Sequence, residues 1–311
     1  MQQVKNRDMQ TISVIVPFYN VETYIQRCIA GLLAQRYPRE AYEIIMVDNN
    51  STDASAAIVK QHPHITLLTE RKQGAYAARN RGLAAAQGSI LAFTDPDCVP
   101  DPHWLQQIAT AFAPTDDVAL VLGHCHMAQE TYVLSLLEAY EHQKLSFVFN
   151  SGRKNLYFGY TNNMAIRREA FSRVGPFVER ARGADQIFVR QVADAYASNS
   201  VRYDATIRVR HLEMESAWKY YQKQFIYGQS NRLCGEIVAV RPLQSLERFH
   251  IFTTAIREGA HSILSAGMLL LLLGIGVICY SAGRWTATWK VWRRRASPDP
   301  IRGDDLRSEN H

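Results

Sequence analysis

Short apolar runs alternate with segments of helical periodicity over the first third of the chain. Residues 11–16 form a β-branched run, and residues 22–35 then repeat apolar side chains at the spacing of one helix face. The predicted strands are 11–16, 41–47, 65–68, 89–93 and 118–122, and the predicted helices are 22–35, 53–61, 76–86 and 104–112. Repeated β-α units with apolar strands predict an α/β fold, in which helices cover both faces of a mostly parallel, Rossmann-like sheet.

The alternation is less regular after residue 122. Helices are predicted over 134–149 and from Gly183 onward, a strand over 201–209, and a helical stretch up to about residue 256. The chain is thereby divided into a disordered N-terminus (1–10), a folded domain (11–235), an amphipathic helical connector (236–258), an apolar helix (259–283) and a basic, polar tail (284–311).

The apolar helix changes the picture of a soluble protein. Residues 259–283 contain no Asp, Glu, Lys or Arg, and they are long enough for the roughly 20 apolar residues that a bilayer core requires. They predict a transmembrane or re-entrant helix, with a buried core helix as the alternative. If the helix spans the membrane, the basic run that follows it lies on the side opposite the folded domain, against the positive-inside tendency. A re-entrant or interfacial helix would keep both ends on one side.

Composition narrows the classes of partner. The chain has 311 residues, of which 47% are hydrophobic and 21% charged, so a folded core is expected. The net charge of +6 is dispersed, without a basic face interleaved with aromatic residues, and no nucleic-acid partner is predicted. Five widely spaced cysteines without a C-x-x-C motif argue against disulfides and against a cysteine zinc site, and are typical of a reducing compartment. The polar N-terminus does not resemble a signal peptide.

Candidate chemistry lies where predicted strands end. Asp95 and Asp97 directly follow the strand 89–93, and two carboxylates at that position are suitable ligands for Mg²⁺ or Mn²⁺ beside a phosphate. An acidic pair in an ordinary solvated turn is the alternative. Tyr19 and Asp48 follow two other strands, and ligands of parallel sheets bind outside the carboxyl ends of the strands.

Together these segments resemble the family 2 glycosyltransferases, whose nucleotide-sugar domain has the GT-A fold. The resemblance covers roughly residues 11–235 and is carried by residues 14–20, 47–53, 74–82, 95–100, 161–168 and 183–185. It implies a UDP- or GDP-sugar donor and Mn²⁺ or Mg²⁺ as cofactor. The substrate-binding residues that it implies are Pro17, Tyr19, Asn20, Asp48, Asn50, Gly74, Arg79 and Asp95.

Several of these residues have a physical role consistent with the resemblance. The ring of Tyr19 can lie against a nucleobase, and Asp48 can accept hydrogen bonds from an imide or a ribose hydroxyl. Gly74 lets the backbone approach a phosphate, and Arg79 can neutralise diphosphate charge. Taken singly, they would more often be loop packing, a helix cap or a solvated surface group.

By the same resemblance, Asp97 is the direct metal ligand and Asp95 contacts ribose or sugar, while His211 completes the metal shell. Asp185 is the candidate catalytic base, with Glu179 as the alternative carboxylate. The family commonly has Glu-Asp where this chain has Ala184 and Asp185, which leaves acceptor placement open.

Two motifs that the sequence lacks narrow the kind of reaction and the class of protein. The Gln-x-x-Arg-Trp motif of processive synthases is absent from residues 221–228, so transfer of a single sugar by inverting displacement is expected. The first strand lacks G-x-G-x-x-G, which disfavours an NAD- or FAD-binding protein and a pyrophosphorylase. A catalytically weakened, nucleotide-sugar-binding membrane scaffold stays open. The expected location is membrane-associated with a cytoplasmic catalytic domain, and the expected acceptor is lipid-linked or a glycan.

Overall fold

An eight-stranded sheet forms the centre of the protein in the computed structural model, which describes residues 10–112, 117–235, 237–238, 241–259 and 261–296. The strands are β1 Ile12–Phe18, β2 Tyr42–Asp48, β3 Ile65–Thr69, β4 Ile90–Thr94, β5 Cys98–Pro100, β6 Leu120–Met127, β7 Asn163–Arg167 and β8 Val201–His211. Their order across the sheet is β3-β2-β1-β4-β7-β6-β8-β5. Strands β1 to β4 pair in parallel, as do β6 and β8, whereas β7 and β5 run antiparallel to their neighbours.

Ten helices occur in the described part of the chain. They are α1 Glu22–Leu33, α2 Ser55–Lys60, α3 Ala75–Ala85, α4 Trp104–Phe112, α5 Tyr132–Asn150, α6 Arg168–Val174, α7 Ala184–Ala195, α8 Ala217–Cys234, α9 Ser245–Glu258 and α10 Ile263–Ala296. Residues 1–9 of the predicted disordered N-terminus (1–10) and residues 297–311 of the predicted basic, polar tail (284–311) lie outside the described residues, as do parts of the predicted connector.

Burial on both faces of the sheet explains the continuous apolar strands. Every residue of β1 and β4 is buried. Ile15 and Phe93 belong to an apolar cluster on one face, whereas Val14 and Ala92 belong to the cluster on the other. Because successive side chains point to opposite faces, a strand covered on both sides has apolar residues throughout. The predicted α/β fold with a mostly parallel sheet is confirmed.

Strand β1 continues through Pro17 rather than ending there. Pro17 is buried and lies opposite Val47 of β2. The pairing of β1 with β4 stops at Ile15, so β1 has a single neighbour at this point and tolerates a residue without an N–H donor.

Helix α10 is long and mostly uncovered. Its segment Ile263–Trp289 has a mean hydropathy of 2.4 in its most apolar window, and 17% of that window is buried. By length and composition this segment can cross a membrane, whereas a core helix would be covered on most sides. The helix continues to Ala296, so the boundary predicted at residue 283 falls inside it.

Helix α10 also packs directly on α8. A methyl group added at Gly283 would overlap the backbone carbonyl of Phe225, and one added at Gly228 would overlap the carbonyl of Tyr280. The Tyr221 hydroxyl donates a hydrogen bond to the Leu272 carbonyl at 3.2 Å. The two glycines therefore permit a backbone-to-backbone approach, which ties α10 to the folded domain.

Replacing Gly283 with Ala tests this packing. Alanine usually stabilises a helix interior by about 0.5–1 kcal/mol over glycine, but overpacking costs about 1–3 kcal/mol. We expect the Gly283→Ala variant to unfold at a lower temperature than the parent in detergent. Gly274→Ala on the same helix is the control, because a methyl group there meets no atom within 4 Å. Equal stability of the two variants would contradict the close approach.

Candidate active site

A cavity of about 1410 Å³ opens beyond the carboxyl end of β4 and extends to α10. Five of the predicted site residues line it: Arg79, Asp95, Asp97, Asp185 and His211. The other six lie outside its lining, at the ends of β1 and β2 and the start of α3. The structure thus divides the predicted residues into two sets. One set lines the cavity, and the other lies in the loops beside it.

Asp97 and His211 are brought together by the pairing of β5 with β8. Cys98 lies opposite His211 in this antiparallel pair, and the Leu212 N–H donates to the Asp97 carbonyl at 2.8 Å. Asp97 Oδ2 is consequently 2.8 Å from His211 Nε2. Burial alone would raise the pKa of Asp97, but the hydrogen bond and charge of His211, together with Lys223, hold it below the ordinary carboxyl value.

Lys223 of α8 was not recognised as a site residue from the sequence. Its Nζ lies 3.0 Å from His211 Nε2 and 3.2 Å from a carboxylate oxygen of Glu213. An ammonium group thus stands beside the imidazole where the resemblance expects a metal ion. A lysine in the middle of a helix gives no signal of this role in the sequence.

The donor set around Asp97 fits a divalent metal ion. The Asp97 carboxylate oxygen and the His211 imidazole nitrogen lie next to each other, beside the Lys223 ammonium group. If a metal ion displaced Lys223 from His211, Lys223 would still have Glu213 as a partner. An imidazole ligand suits Mn²⁺ better than Mg²⁺. Cys98 lies beside Asp97 and His211, and burial, followed by the nearby Asp97 charge, raises the pKa of its thiol well above the ordinary value.

Asp95 is held by an ion pair with Arg79 that engages one of its two carboxylate oxygens. The Arg79 guanidinium donates to Asp95 Oδ1 at 2.5 Å, and its side chain is 6% exposed, so it is a buried ion-pair partner. It also lies over the Tyr76 ring, 5.2 Å from the ring centroid. A buried guanidinium is costly unless it is paired. Arg79 therefore orients Asp95, and its predicted direct contact with the diphosphate stays a prediction.

Asp185 stands in the first turn of α7, after Gly183, which caps the helix at φ 78°. Burial is the largest influence on this carboxyl and raises its pKa above the ordinary value, against hydrogen bonds from the Gln186 N–H and the Tyr76 hydroxyl and the charge of Arg79. A carboxylate with a raised pKa is a better proton acceptor near neutral pH. The neighbouring Ala184 is fully buried in the apolar cluster, so its methyl group contributes to core packing.

Glu179, the alternative base, is placed differently. It forms an ion pair with Lys72, and Asn80 Nδ2 donates to it at 3.3 Å. The hydrogen bond from Lys72, and next that from Asn80, lower its pKa below the ordinary value. A weakly basic carboxylate that already has two partners is less suited to proton abstraction than Asp185.

The loop that leads into α3 is fixed by Asn49, a residue that the sequence did not single out. Its Nδ2 donates to the carbonyls of Glu70 and Lys72 at 2.9 and 2.8 Å, and its Oδ1 accepts from the Gly74 N–H at 2.7 Å. Asn49 is 2% exposed. Gly74 itself has φ 138°, a conformation that requires glycine. Asn49 thereby holds this loop, which contains Gly74 and is called the glycine loop below, against the end of β2.

Asp48 is nearly buried, at 9% exposure, whereas Tyr19 is exposed. Asp48 Oδ1 accepts from the Ser51 N–H at 3.0 Å, which leaves Oδ2 without a partner among the described residues. The Tyr19 side chain is 43% exposed.

The side chains of Asn20 and Asn50 form hydrogen bonds within the loops, and Pro17 is buried in strand β1. Asn20 Oδ1 accepts from the Thr52 N–H at 2.8 Å, and Asn50 Nδ2 donates to the Arg71 carbonyl at 3.0 Å. Both asparagines have positive φ, 48° and 68°, which asparagine tolerates better than most residues. Their predicted substrate contacts, and that of the buried Pro17, stay predictions.

Comparison with known proteins identifies related sequences. The model of the family described as Glycosyl transferase family 2 matches residues 13–175. Glycosyltransferase AglE of Haloferax volcanii is 31% identical over 199 residues, which cover 62% of this chain and 64% of that protein. A dolichyl N-acetyl-α-D-glucosaminyl phosphate 3-β-D-2,3-diacetamido-2,3-dideoxy-β-D-glucuronosyltransferase of Methanococcus voltae is 31% identical over 104 residues, covering 32% of each chain. The matches thus span less than two thirds of these relatives.

Comparison with solved structures supports the same fold. The mannosyltransferase PcManGT from Pyrobaculum calidifontis, solved with GDP-Man and Mn²⁺, superimposes with a TM-score of 0.57 at 20% identity. The superposition covers 91% of this chain and 84% of that chain.

Replacing Asn49 with Asp tests its hold on the glycine loop. The variant keeps an acceptor for the Gly74 N–H but removes the donor to the part-buried Glu70 and Lys72 carbonyls, at about 0.5–1.5 kcal/mol for each lost hydrogen bond. We expect a lower unfolding temperature. Asn50→Asp is the control, since it removes a comparable donor from an exposed part of the loop. If both variants unfold together, Asn49 does not fix the loop.

Proposed function

The chain belongs to glycosyl transferase family 2, and we propose that it transfers one sugar from a UDP- or GDP-sugar to a hydroxyl of a lipid-linked acceptor, with inversion at the anomeric carbon. It is a glycosyltransferase of the GT-A fold that uses nucleotide-sugar donors. The proposed transfer to a lipid-linked acceptor is supported by the cavity, which is lined by Asp97, Asp185 and residues of the apolar helix α10. One cavity thus adjoins the candidate metal ligands, the candidate base and a membrane-facing element.

The nucleoside of the donor lies beside the loops after β1 and β2. The exposed ring of Tyr19 offers a face for the base, and Asp48 Oδ2 accepts a hydrogen bond from the base or the ribose. Gly74, held by Asn49, places the backbone at the start of α3 near the cavity, where the adjacent Ala75 contributes to the lining. The N-terminus of this helix favours the negative charge of a diphosphate.

Asp97 and His211 hold the divalent metal ion, with Mn²⁺ favoured by the imidazole ligand. When bound, the ion supplies positive charge to the departing diphosphate. Asp95, oriented by Arg79, remains available through Oδ2 to a sugar or ribose hydroxyl, since its side chain is 29% exposed. Lys223 would keep Glu213, already 3.2 Å from its Nζ, as its partner if a metal ion took the place beside His211.

Asp185 takes the proton of the acceptor hydroxyl. As the proton moves to its carboxylate, the acceptor oxygen forms a bond to the anomeric carbon and the bond from that carbon to the diphosphate oxygen breaks. The electron pair leaves with the nucleoside diphosphate. A single base on the face opposite the leaving group gives an inverted product.

The acceptor is assigned from the wall of the cavity. Leu270, Leu273 and Val277 of α10 line it, together with Arg248 of α9 and Arg284 of α10. Apolar side chains beside cationic ones suit an acceptor with a lipid chain and a phosphate group. The Methanococcus voltae relative is likewise named for a dolichyl N-acetyl-α-D-glucosaminyl phosphate.

Helix α10 lies along the membrane surface in this proposal and does not cross it. Its exposed apolar side chains include Leu264, Leu271, Ile278 and Trp285, at 85%, 61%, 69% and 70% exposure. The opposite side packs on α8, which carries Lys223, so a spanning helix would draw charged groups into hydrocarbon. An interfacial helix keeps the basic run after it and the catalytic domain on the cytoplasmic side.

The Asp185→Asn variant tests the reaction. Loss of the base lowers sugar transfer by about 10² to 10⁴, while the dissociation constant of the donor stays within a few fold of the parent. In the parent, the raised pKa of Asp185 places the acid limb of kcat/KM above the ordinary carboxyl range, with activity falling as pH drops through it. The control is Asp194→Asn, on the exposed side of the same helix, where Asp194 pairs with Arg190.

NMR of the product provides the second measurement. An inverted anomeric configuration is expected. Retained configuration would refute direct displacement, and full transfer by the Asp185→Asn variant would remove the base assignment.

Replacing Arg248 with Gln tests the acceptor. Loss of a charged hydrogen bond to phosphate weakens binding by about tenfold or more. We expect a higher KM for a polyprenyl-phosphate-linked acceptor and an unchanged KM for the donor. Arg257→Gln is the control, because Arg257 is exposed on the same helix and does not line the cavity. Equal KM values for the two variants would exclude Arg248 from acceptor binding.

A further inference from the structure

A second group of metal-binding side chains lines the cavity, apart from Asp97. His124 and His126 lie two residues apart on β6, and Glu138 lies on α5. Glu138 Oε1 is 3.1 Å from His124 Nε2 and 2.6 Å from His126 Nδ1. The three ligand atoms all lie within 4.8 Å of one another. Residues two apart on a strand share a face, so both imidazoles point to the same side of β6.

An irregularity in the sheet sets the position of His124. The pairing of β6 with β8 shifts register between Gly123 and His124. The buried Asn163 fills this irregularity, since its Nδ2 donates to the carbonyls of His124 and Ile207, both at 2.9 Å. The Trp104 indole N–H in turn donates to Asn163 Oδ1 at 2.9 Å. The additional residues lie on β8, between Asp204 and Arg208, and buried hydrogen bonds hold this irregularity beside His124.

The outer contacts of the group resemble those of a metal centre. Tyr203 Oη lies 2.9 Å from His124 Nδ1 and 2.8 Å from His142 Nδ1. The Met127 N–H donates to Glu138 Oε2 at 2.9 Å. Metal-binding histidines characteristically use their second ring nitrogen in such a hydrogen bond, and metal-binding carboxylates are likewise supported.

The protonation position on the His124 ring decides between two arrangements of His124, His126 and Glu138, one suited to a cation and one held by hydrogen bonds. If His124 is protonated at Nδ1, it donates to Tyr203 and turns the lone pair of Nε2 toward the Glu138 carboxylate. That arrangement is favourable only with a cation between the two atoms. If the proton is on Nε2 instead, the group is a chain of ordinary hydrogen bonds.

We propose that His124, His126 and Glu138 bind Zn²⁺ as a second metal site in the cavity. Two imidazoles and one carboxylate are a known ligand set for zinc with an open fourth position. Tetrahedral bonds of about 2.0–2.1 Å separate ligand atoms by roughly 3.3 Å, so the side chains need only small movements from their positions here. The fourth position faces the cavity and takes water or an anionic oxygen of a ligand.

Zinc binding is measured on the full-length protein in detergent after removal of metals. The Asp97→Asn background removes the first site, so that the remaining zinc reports the second. We expect one Zn²⁺ per chain by equilibrium dialysis and elemental analysis, with imidazole nitrogen ligands at about 2.0–2.1 Å in the X-ray absorption spectrum.

Two ligand variants and one matched control locate the ion. In the same background, His126→Ala and Glu138→Gln should each weaken zinc binding by more than about tenfold, the lower bound seen for residues around a metal. The His126 side chain is 35% exposed and Glu138→Gln keeps its shape, so circular dichroism should match the parent. His103→Gln, at an exposed histidine that does not line the cavity, should retain one zinc ion. Absence of stoichiometric zinc in the Asp97→Asn protein, or equal binding by all variants, overturns the proposal and leaves a hydrogen-bond network.

Discussion

The antiparallel pairing of β5 with β8 is the constraint on which the chemical part of the site depends. It joins a three-residue strand that follows the paired acids to the end of a strand more than a hundred residues later, with Cys98 opposite His211. Without that register, Asp97 and His211 would not lie within hydrogen-bond distance of each other. The partner strand β8 also pairs with β6, where Met127 lies opposite His211 and its N–H supports Glu138. One strand therefore fixes both groups of candidate metal ligands.

The sequence was most informative where strands are parallel and covered on both faces. Continuous apolar runs predicted β1, β2 and β4, and the polar residues at their ends located Asp48 and Asp95 correctly at one edge of the sheet. Strands β5 and β7 were missed for a physical reason. The first has only three residues, and the second begins with Asn163, a buried polar residue whose hydrogen bonds replace the apolar signal.

Side-chain partners were less predictable than strand ends. Arg79 has the pattern of a solvated helix residue, yet it is buried against Asp95, and no periodicity reveals which acid a buried arginine will find. Asn49 and Lys223 likewise act through contacts with segments distant in the chain. The roles of Asp97 and His211 came from resemblance to a family, since a lone histidine 114 residues away carries no spacing signal.

Helix α8 connects the metal-binding side of the cavity to the apolar helix. It carries Lys223 beside His211 and, two turns later, Asn231, which accepts a hydrogen bond from Gln186 at 2.8 Å and donates one to the Tyr280 hydroxyl at 2.7 Å. Gln186 is the residue after Asp185. Because glycine contacts hold α8 and α10 at backbone distance, α10 cannot shift relative to the sheet without moving α8 or breaking these bonds. The apolar helix thus forms a wall of the candidate active site, and its exposed apolar surface is fixed in position relative to Asp185, Asp97 and His211.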